Sequence, residues 1–251
     1  MTKPTPVRAP YDMAALLRDG YRLMRARHGH LHWWPGETPF EVCVGAILTQ
    51  NTNWGNVEKS IANLQREKVL SPEKLHELSQ SELARLIHPS GYYNVKAARL
   101  RAFLKILVED YGGDLTRLFS GTVAEARQRL LETNGIGPET ADSMLLYAGG
   151  RLTFVIDAYT RRIFARHHFC AMDEEYDALR QICERSLSTG VGDLLDYWQD
   201  YHAQLVMVGK TFCRPREARC EECPLRSLLP GETQGVQSPA TKSPRTPKAA
   251  R

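Results

Sequence analysis

The sequence has no apolar run approaching the ~20 residues needed to cross a bilayer, and its opening, MTKPTPVRAP, carries no apolar stretch behind its first charges. A membrane span or a secretory leader is therefore not expected, and a soluble cytoplasmic chain is. Cysteine is sparse, six in 251 residues, which is too few for a disulfide scaffold. An excess of charge is lacking as well. Of the formal net charge of +4, Lys242, Arg245, Lys248 and Arg251 against Glu232 place most in the last 21 residues and leave about +1 for the rest. A body so near neutrality is no polycation, so a nucleic acid would have to be held by a local patch and by backbone amides. Internal repeats and linkers are also missing between the two ends.

What is present is an ordinary globular balance, 42% hydrophobic and 25% charged. The stretch 230–251 has several prolines and no apolar periodicity, so it is read as a disordered basic tail, and the start through Pro10 looks similar. Between them, apolar residues recur at helical spacing: Leu16, Leu17, Tyr21 and Met24; Val57, Ile61 and Leu64; Leu100, Phe103, Leu104 and Leu107 before Gly112-Gly113. Thr122 with Glu125 forms a capping box for a helix to about Glu132, and Asp193 to Phe212 reads as a long last helix. Leu152, Phe154 and Ile156 alternate like a strand, too briefly to be more than an extended connector. The expectation is an all-α fold.

Two patterns carry chemistry. In Leu131–Tyr147 a helix ends, Asn134-Gly135-Ile136-Gly137 turns the chain, and Pro138 starts another helix. Glycines that leave N–H groups uncovered beside a helix start suit a phosphate, and a plain helix-turn-helix connector is the equal alternative. Three of the six cysteines, Cys213, Cys220 and Cys223, lie close enough to suggest metal ligation, whereas Cys43, Cys170 and Cys183 read as core.

The hairpin NGIGPETAD, then VIDAYTRRIF, then Cys213-x6-Cys220-x2-Cys223, with AILTQNT at 46–52 and GYYNVKA at 91–97, resembles the helix-hairpin-helix DNA glycosylases of the endonuclease III branch, over roughly residues 40–229. The resemblance implies two helical lobes with a lesion cleft between them: a six-helix barrel at 40–148, a second lobe from 11–39 plus 149–212, and a cysteine loop at 213–229. It implies a base-excision glycosylase acting on double-stranded DNA, monomeric and nucleoid-associated in a prokaryotic cytoplasm. Asp157 aligns with the catalytic aspartate, which would stabilise positive charge on the deoxyribose; as a helix N-cap it has a structural role open to it too. Asn134, Gly135, Ile136 and Gly137 become DNA contacts, Gln50 the side chain that fills the gap left by a flipped base, and Lys96 and Lys210 candidate phosphate contacts.

Departures from the pattern narrow the expectation. Glu139 stands where strand-cutting relatives carry a lysine that forms a Schiff base, so a monofunctional enzyme without lyase activity is expected. The motif HWWP, with Trp33, Trp34 and Pro35, and Trp54 after QNTN look like the 3-methyladenine glycosylases of this branch. Indole faces attract a cationic alkylated purine while stacking on it, although any one tryptophan is more often core. A mismatch thymine/uracil or oxidised-pyrimidine glycosylase and a catalytically silent DNA-structure binder are the alternatives, and retention of Asp157 speaks against silence. The resemblance further implies a 4Fe-4S cluster on Cys213, Cys220 and Cys223, but the fourth cysteine position is Leu229.

Overall fold

The computed structural model describes residues 10–33, 36–189 and 192–230. Among them the chain is helical, with no strand and one isolated antiparallel bridge, between Cys213 and Ala218. The helices are α1 (Pro10–His28), α2 (Pro39–Leu48), α3 (Trp54–Arg66), α4 (Pro72–Glu77), α5 (Gln80–Leu86), α6 (Tyr93–Lys105), α7 (Leu115–Leu118), α8 (Val123–Leu131), α9 (Pro138–Ser143), α10 (Ala158–Arg166), α11 (Tyr176–Ser186) and α12 (Leu194–Thr211). Two of them, α6 and α9, run on into a wider π turn, at Ile106–Asp110 and Met144–Ala148. The segments read as helices from their spacing are helices. The Thr122–Glu125 capping box is reciprocal, and Asp193 caps α12 through the amides of Leu195 and Asp196. Pro10, expected to be unstructured, is already the first residue of α1. The tail from 231 onward lies outside the described residues.

Two apolar cores form. The first runs from Phe40 to Leu145 and gathers α2 to α9 around Ile47, Leu48, Leu64, Leu83, Leu100, Phe103 and Leu130. The second joins α1 to α10, α11 and α12 around Leu17, Met24, Phe154, Phe164, Leu179 and Tyr201. Val42, from inside the first stretch, and Leu146 and Tyr147, directly after it, belong to the second core, so α2 and the turn after α9 are the seam between the lobes. The all-α, two-lobed expectation therefore holds. Residues 151–157 form an extended connector, as expected, but a buried one rather than a one-sided strand: Thr153, Phe154, Val155 and Ile156 are all buried and Leu152 is exposed.

Helix α12 is the hub of the second lobe, buried along most of its length. Its closest helix packing is on α10, where Gly209 lets the ring of Tyr159 approach closer than any β-carbon would permit. Its buried polar side chains tie it to the turn after α9 and to α1 with the segment that follows it. Gln199 donates to the Leu146 carbonyl at 2.8 Å, and Gln204 to the Gly29 carbonyl at 2.7 Å. Asp200 accepts from the Tyr21 hydroxyl at 2.8 Å, Arg25 at 3.1 Å and the Leu31 amide at 2.9 Å. This last set fixes the segment after α1, the one that carries Trp33.

Candidate active site

The hairpin is built as the glycines require. Helix α8 ends at Leu131, Ile136 plugs into the first core, and Gly137 precedes Pro138 at the first position of α9. Gly135 sits at φ +86°, and a β-carbon there would collide with the Arg99 side chain, so the position excludes other residues twice over. Asn134 and Gly137 are exposed, and no side chain caps α9, which leaves its first amides facing outward.

Gln50 is brought to this hairpin. Its amide donates to the Gly135 carbonyl at 3.1 Å and the Thr140 hydroxyl at 3.0 Å, and its carbonyl accepts from Arg99. It is half-buried and anchored rather than a free surface glutamine. Arg99 is thus a residue that sequence reasoning missed: it braces both Gln50 and the glycine turn from α6. Tyr92, at the start of the same helix, was missed too, and it is 71% exposed with a left-handed backbone at φ 47°. A large exposed aromatic held in that conformation was not visible as such in GYYNVKA.

Lys96 is not where a phosphate contact must be. It is 1% exposed, and its amine donates to the Leu48 carbonyl at 2.7 Å and the Ser90 carbonyl at 2.6 Å, tying α2 to the turn before α6. Loss of hydration, aided by the charge of Arg99, pushes it down to about 8. The expectation of a DNA contact is corrected: Lys96 is a clamp within the first lobe. Lys210 is exposed at the end of α12 with its ammonium 5.3 Å from the centre of the Trp33 ring.

Asp157 caps α10, accepting from the Thr160 amide at 2.7 Å, so the structural role open to it is real. It is also only 9% exposed and stands at the junction of α9, α10 and α12. Burial by itself raises a carboxyl, but His202 and the Thr160 amide outweigh it and hold Asp157 below its usual range. His202 Nε2 lies 3.7 Å from Asp157 Oδ2, outside hydrogen-bond distance and well within reach of its charge. Glu139, in the first turn of α9, behaves in the opposite way. It meets solvent, yet enough protein surrounds it that lost hydration, together with the nearby charge of Asp157, pushes it up to about 7. Two neighbouring carboxyls are thereby driven apart, one kept ionised and one poised near neutrality, which is the arrangement acid–base chemistry uses.

An open cavity of about 720 Å³ lies at the seam between the lobes. Trp54 and Tyr147 line it, together with the carboxylates of Glu37, Glu41 and Glu58. Glu41 is the buried one of the three; it accepts from Gln65 at 3.2 Å, and burial raises its carboxyl. Trp33 is not part of this lining: it packs on the second core beneath Lys210. Trp34 and Pro35 lie outside the described residues.

Cys213, Cys220 and Cys223 do meet around one small cavity, which Leu229 and Arg166 also line. Arg166 donates to Cys213 Sγ at 3.2 Å and to the carbonyls of Arg214 at 2.8 Å and Pro215 at 3.0 Å, while Arg162 donates to the Cys213 carbonyl at 2.7 Å. Among the described residues no three His, Cys, Asp or Glu side chains are gathered closely enough to hold a metal ion. The donor set does not fit a four-thiolate cluster, because only three cysteines line the cavity and its fourth wall is the aliphatic Leu229. Arginines of α10 order this loop, and Arg214, Arg216 and Arg219 on it are exposed.

Comparison with known proteins agrees with this geometry. The family model described as HhH-GPD superfamily base excision DNA repair protein matches residues 44–189. A putative DNA repair glycosylase of Methanocaldococcus jannaschii is 43% identical over 83% of this chain and 93% of its own length. Endonuclease III of Thermotoga maritima is 29% identical over 75% of this chain and 81% of its own. Among solved structures, the 3-methyladenine DNA glycosylase of H. pylori bound to 1,N6-ethenoadenine superposes with a TM-score of 0.68 at 28% identity, covering 79% of this chain and 97% of that one. With its glycine hairpin, its helix-capping aspartate and these relatives, the chain belongs to the HhH-GPD superfamily of base excision DNA repair proteins, as an endonuclease III-like DNA glycosylase.

Proposed function

We propose that the protein is a monofunctional glycosylase that hydrolyses the N-glycosidic bond of alkylated purines such as 3-methyladenine in duplex DNA, leaving an abasic site. The observation that carries this reading is the seam cavity, lined by two aromatic residues, Trp54 and Tyr147, and by three acidic ones, Glu37, Glu41 and Glu58. A purine alkylated at N3 is flat and positively charged, so it gains from stacking on the rings and from the negative surroundings alike. A neutral mismatched thymine gains only the stacking. Similarity to the H. pylori enzyme, solved with 1,N6-ethenoadenine, supports a modified adenine as the guest.

In this reading the hairpin and the first amides of α9 hold the DNA backbone, and Gln50 with Arg99 occupies the place of the flipped nucleotide. As the base departs with the bonding electron pair, positive charge builds on the deoxyribose, and the ionised Asp157 stabilises it. A cationic base leaves neutral, so it needs little help from an acid. Water then bonds to C1′ and gives up its proton, for which Glu139, titrating near neutrality, is suited. A carboxylate cannot form an imine, and Lys96 is spent on two carbonyls. Borohydride is therefore expected to trap no enzyme–DNA adduct.

The test is a panel of duplexes containing 3-methyladenine, 1,N6-ethenoadenine, thymine glycol, or G:T and G:U mismatches, scored for base release with and without alkaline cleavage. Release confined to the alkylated purines, with strand breaks only after alkali, is the expected result. Faster release of thymine or uracil overturns the substrate class. In Glu58→Gln, turnover of the cationic lesion should fall about 10-fold, and that of neutral ethenoadenine should change little. Equal losses on both would remove charge from the recognition.

A further inference from the structure

Sequence reasoning passed over His202, and no step above uses it. It lies in the middle of α12, 8% exposed, and reaches two parts of the site at once. Nδ1 is 2.6 Å from the Tyr147 hydroxyl, itself 3.1 Å from the Gln199 carbonyl oxygen, and Tyr147 lines the seam cavity. Nε2 faces Asp157 Oδ2 at 3.7 Å and has no hydrogen-bond partner. On the helix that Asp157 caps, the buried Thr160 Oγ1 also lacks one. Buried polar atoms without partners are rare and costly, and here one faces the Asp157 carboxylate and another lies on the helix that this carboxylate caps.

A neutral imidazole carries its proton on one nitrogen. With a carboxylate facing Nε2, the favoured tautomer has Nε2–H, and the single Tyr147 proton then goes to Nδ1 at 2.6 Å rather than to the Gln199 carbonyl at 3.1 Å. The opposite tautomer sets a lone pair against the negative charge. Hydrogen bonds of catalytic groups are often long before substrate binds and tighten afterwards, and a shift of under about 1 Å brings Nε2–H into range of Oδ2.

We infer that His202 is a positioning residue for Asp157: its Nε2–H, oriented by the Tyr147 hydroxyl, aims the carboxylate and supports its negative charge, and the contact closes when a base fills the cavity that Tyr147 lines. This rests on the assignment of Asp157 to catalysis. Two other buried carboxylates, Asp142 and Asp200, are committed to Arg127 and Arg25. The other groups facing Asp157 are Glu139 from α9, Tyr147 from the turn that follows it, and Tyr159 on α10, with Arg161 of α10 facing Glu139.

The experiment follows single-turnover base release against pH for the wild type, His202→Leu, His202→Gln and Tyr147→Phe, using whichever lesion duplex of the panel the wild type turns over. Binding to an abasic duplex and melting temperature are measured in parallel. His202→Leu should lose about 10-fold or more in rate at neutral pH. The lower acid limb, beneath the step that Glu139 sets near pH 7, should move to higher pH, because an unsupported Asp157 carboxylate protonates sooner. His202→Gln, which keeps an N–H donor, should recover much of the rate, and Tyr147→Phe should move the acid limb the same way by less. Abasic binding should stay unchanged in all three. An acid limb in His202→Leu identical to the wild type, or a rate loss that only follows the melting temperature, overturns the inference. If His202→Leu does not fold, a wild-type acid limb in both other variants overturns it. Asp157→Asn separates the two levels: if it is as active as the wild type, the assignment of Asp157 falls, whereas if it is inactive while the histidine variants are unshifted, only the role of His202 falls.

Discussion

The first lobe is packed mostly with aliphatic residues; of its buried polar groups, Ser60, Ser90, Lys96 and Thr133 serve backbone carbonyls, and Glu41, Thr140 and Asp142 each pair with a side chain. In the second lobe, Tyr21, Tyr197 and Tyr201 pack edge-on or stacked, Phe154 packs on Trp198, and α12 presents buried Gln199, Asp200, His202 and Gln204. Rings with a polar tip and buried hydrogen-bonded side chains fix positions more narrowly than aliphatic packing does. The lobe that holds Asp157 is thus the one built for geometry, and the lobe that offers the hairpin is the one built for bulk stability. Substitutions should accordingly separate: away from the cleft residues Gln50, Trp54, Glu58 and Glu139, the first lobe should lose stability alone, whereas at Asp157 and His202 of the second it is chemistry that should be lost.

The widest separation is expected at Asp157. Asp157→Asn should retain binding to an abasic duplex while single-turnover base release falls about 100-fold or more, since the lost charge acts mainly on the transition state. An unfolded protein instead of an inactive one would make Asp157 chiefly a cap. Next comes Asp200→Asn, which removes the negative partner of Arg25 and Tyr21 and should cost about 2–3 kcal/mol of stability. Burial alone raises Asp200, yet the Leu31 amide, Tyr21 and Arg25 outweigh it and hold the carboxyl low. Its contribution is complete above the unfolded carboxyl value near 4 and fades as pH falls through the lower folded value. Melting curves between about pH 2 and 6 should therefore converge for wild type and variant at the acid end.

Lys96→Met should destabilise the first lobe by about 2 kcal/mol, because two buried carbonyls lose their donor. The salt dependence of DNA binding should not change, whereas a true phosphate contact would lower the salt slope by about 1. The folded protein releases this proton near pH 8 and the unfolded chain near 10.4, so the contribution of Lys96 grows as pH rises across that window. The stability gap between wild type and variant should widen there; a gap constant with pH would contradict the depressed titration. The smallest effect belongs to the exposed capping box. Thr122→Ala should cost about 1 kcal/mol by denaturant titration and leave base release untouched. Loss of activity in that variant would show that the lobes are not as separable as their cores indicate.

Local rules made much of this protein legible in one dimension. Capping residues, helical spacing and the NGIGP turn marked α8, α9 and α12 nearly to their ends, because a cap or a left-handed glycine satisfies its physics within a few residues. The same locality shows Asp157 as the cap of α10, and the resemblance supplied its chemical role. The aromatic pocket was half legible: Trp54 lines the cavity, but its carboxylates come from α2, α3 and the segment before α2, and nothing along the chain pairs them.

Where each long polar side chain ends was decided by the tertiary structure alone. Lys96 and Lys210 are the same residue type in matched motifs, yet one is sealed between two carbonyls and the other lies over an indole in solvent. Gln50, expected to fill the gap left by a flipped base, is bound to residues 85 and 90 positions away, and His202 meets Asp157 from 45 residues further along. The sequence by itself determined the helices, the hairpin and the presence of a carboxylate where the family has one, since backbone geometry and capping are short-range. Only the packing of α12 against α10 and the seam decided which groups lose their water and which charges face one another. Desolvation and Coulomb energy depend on distance through space, and neither is written in the order of residues along the chain.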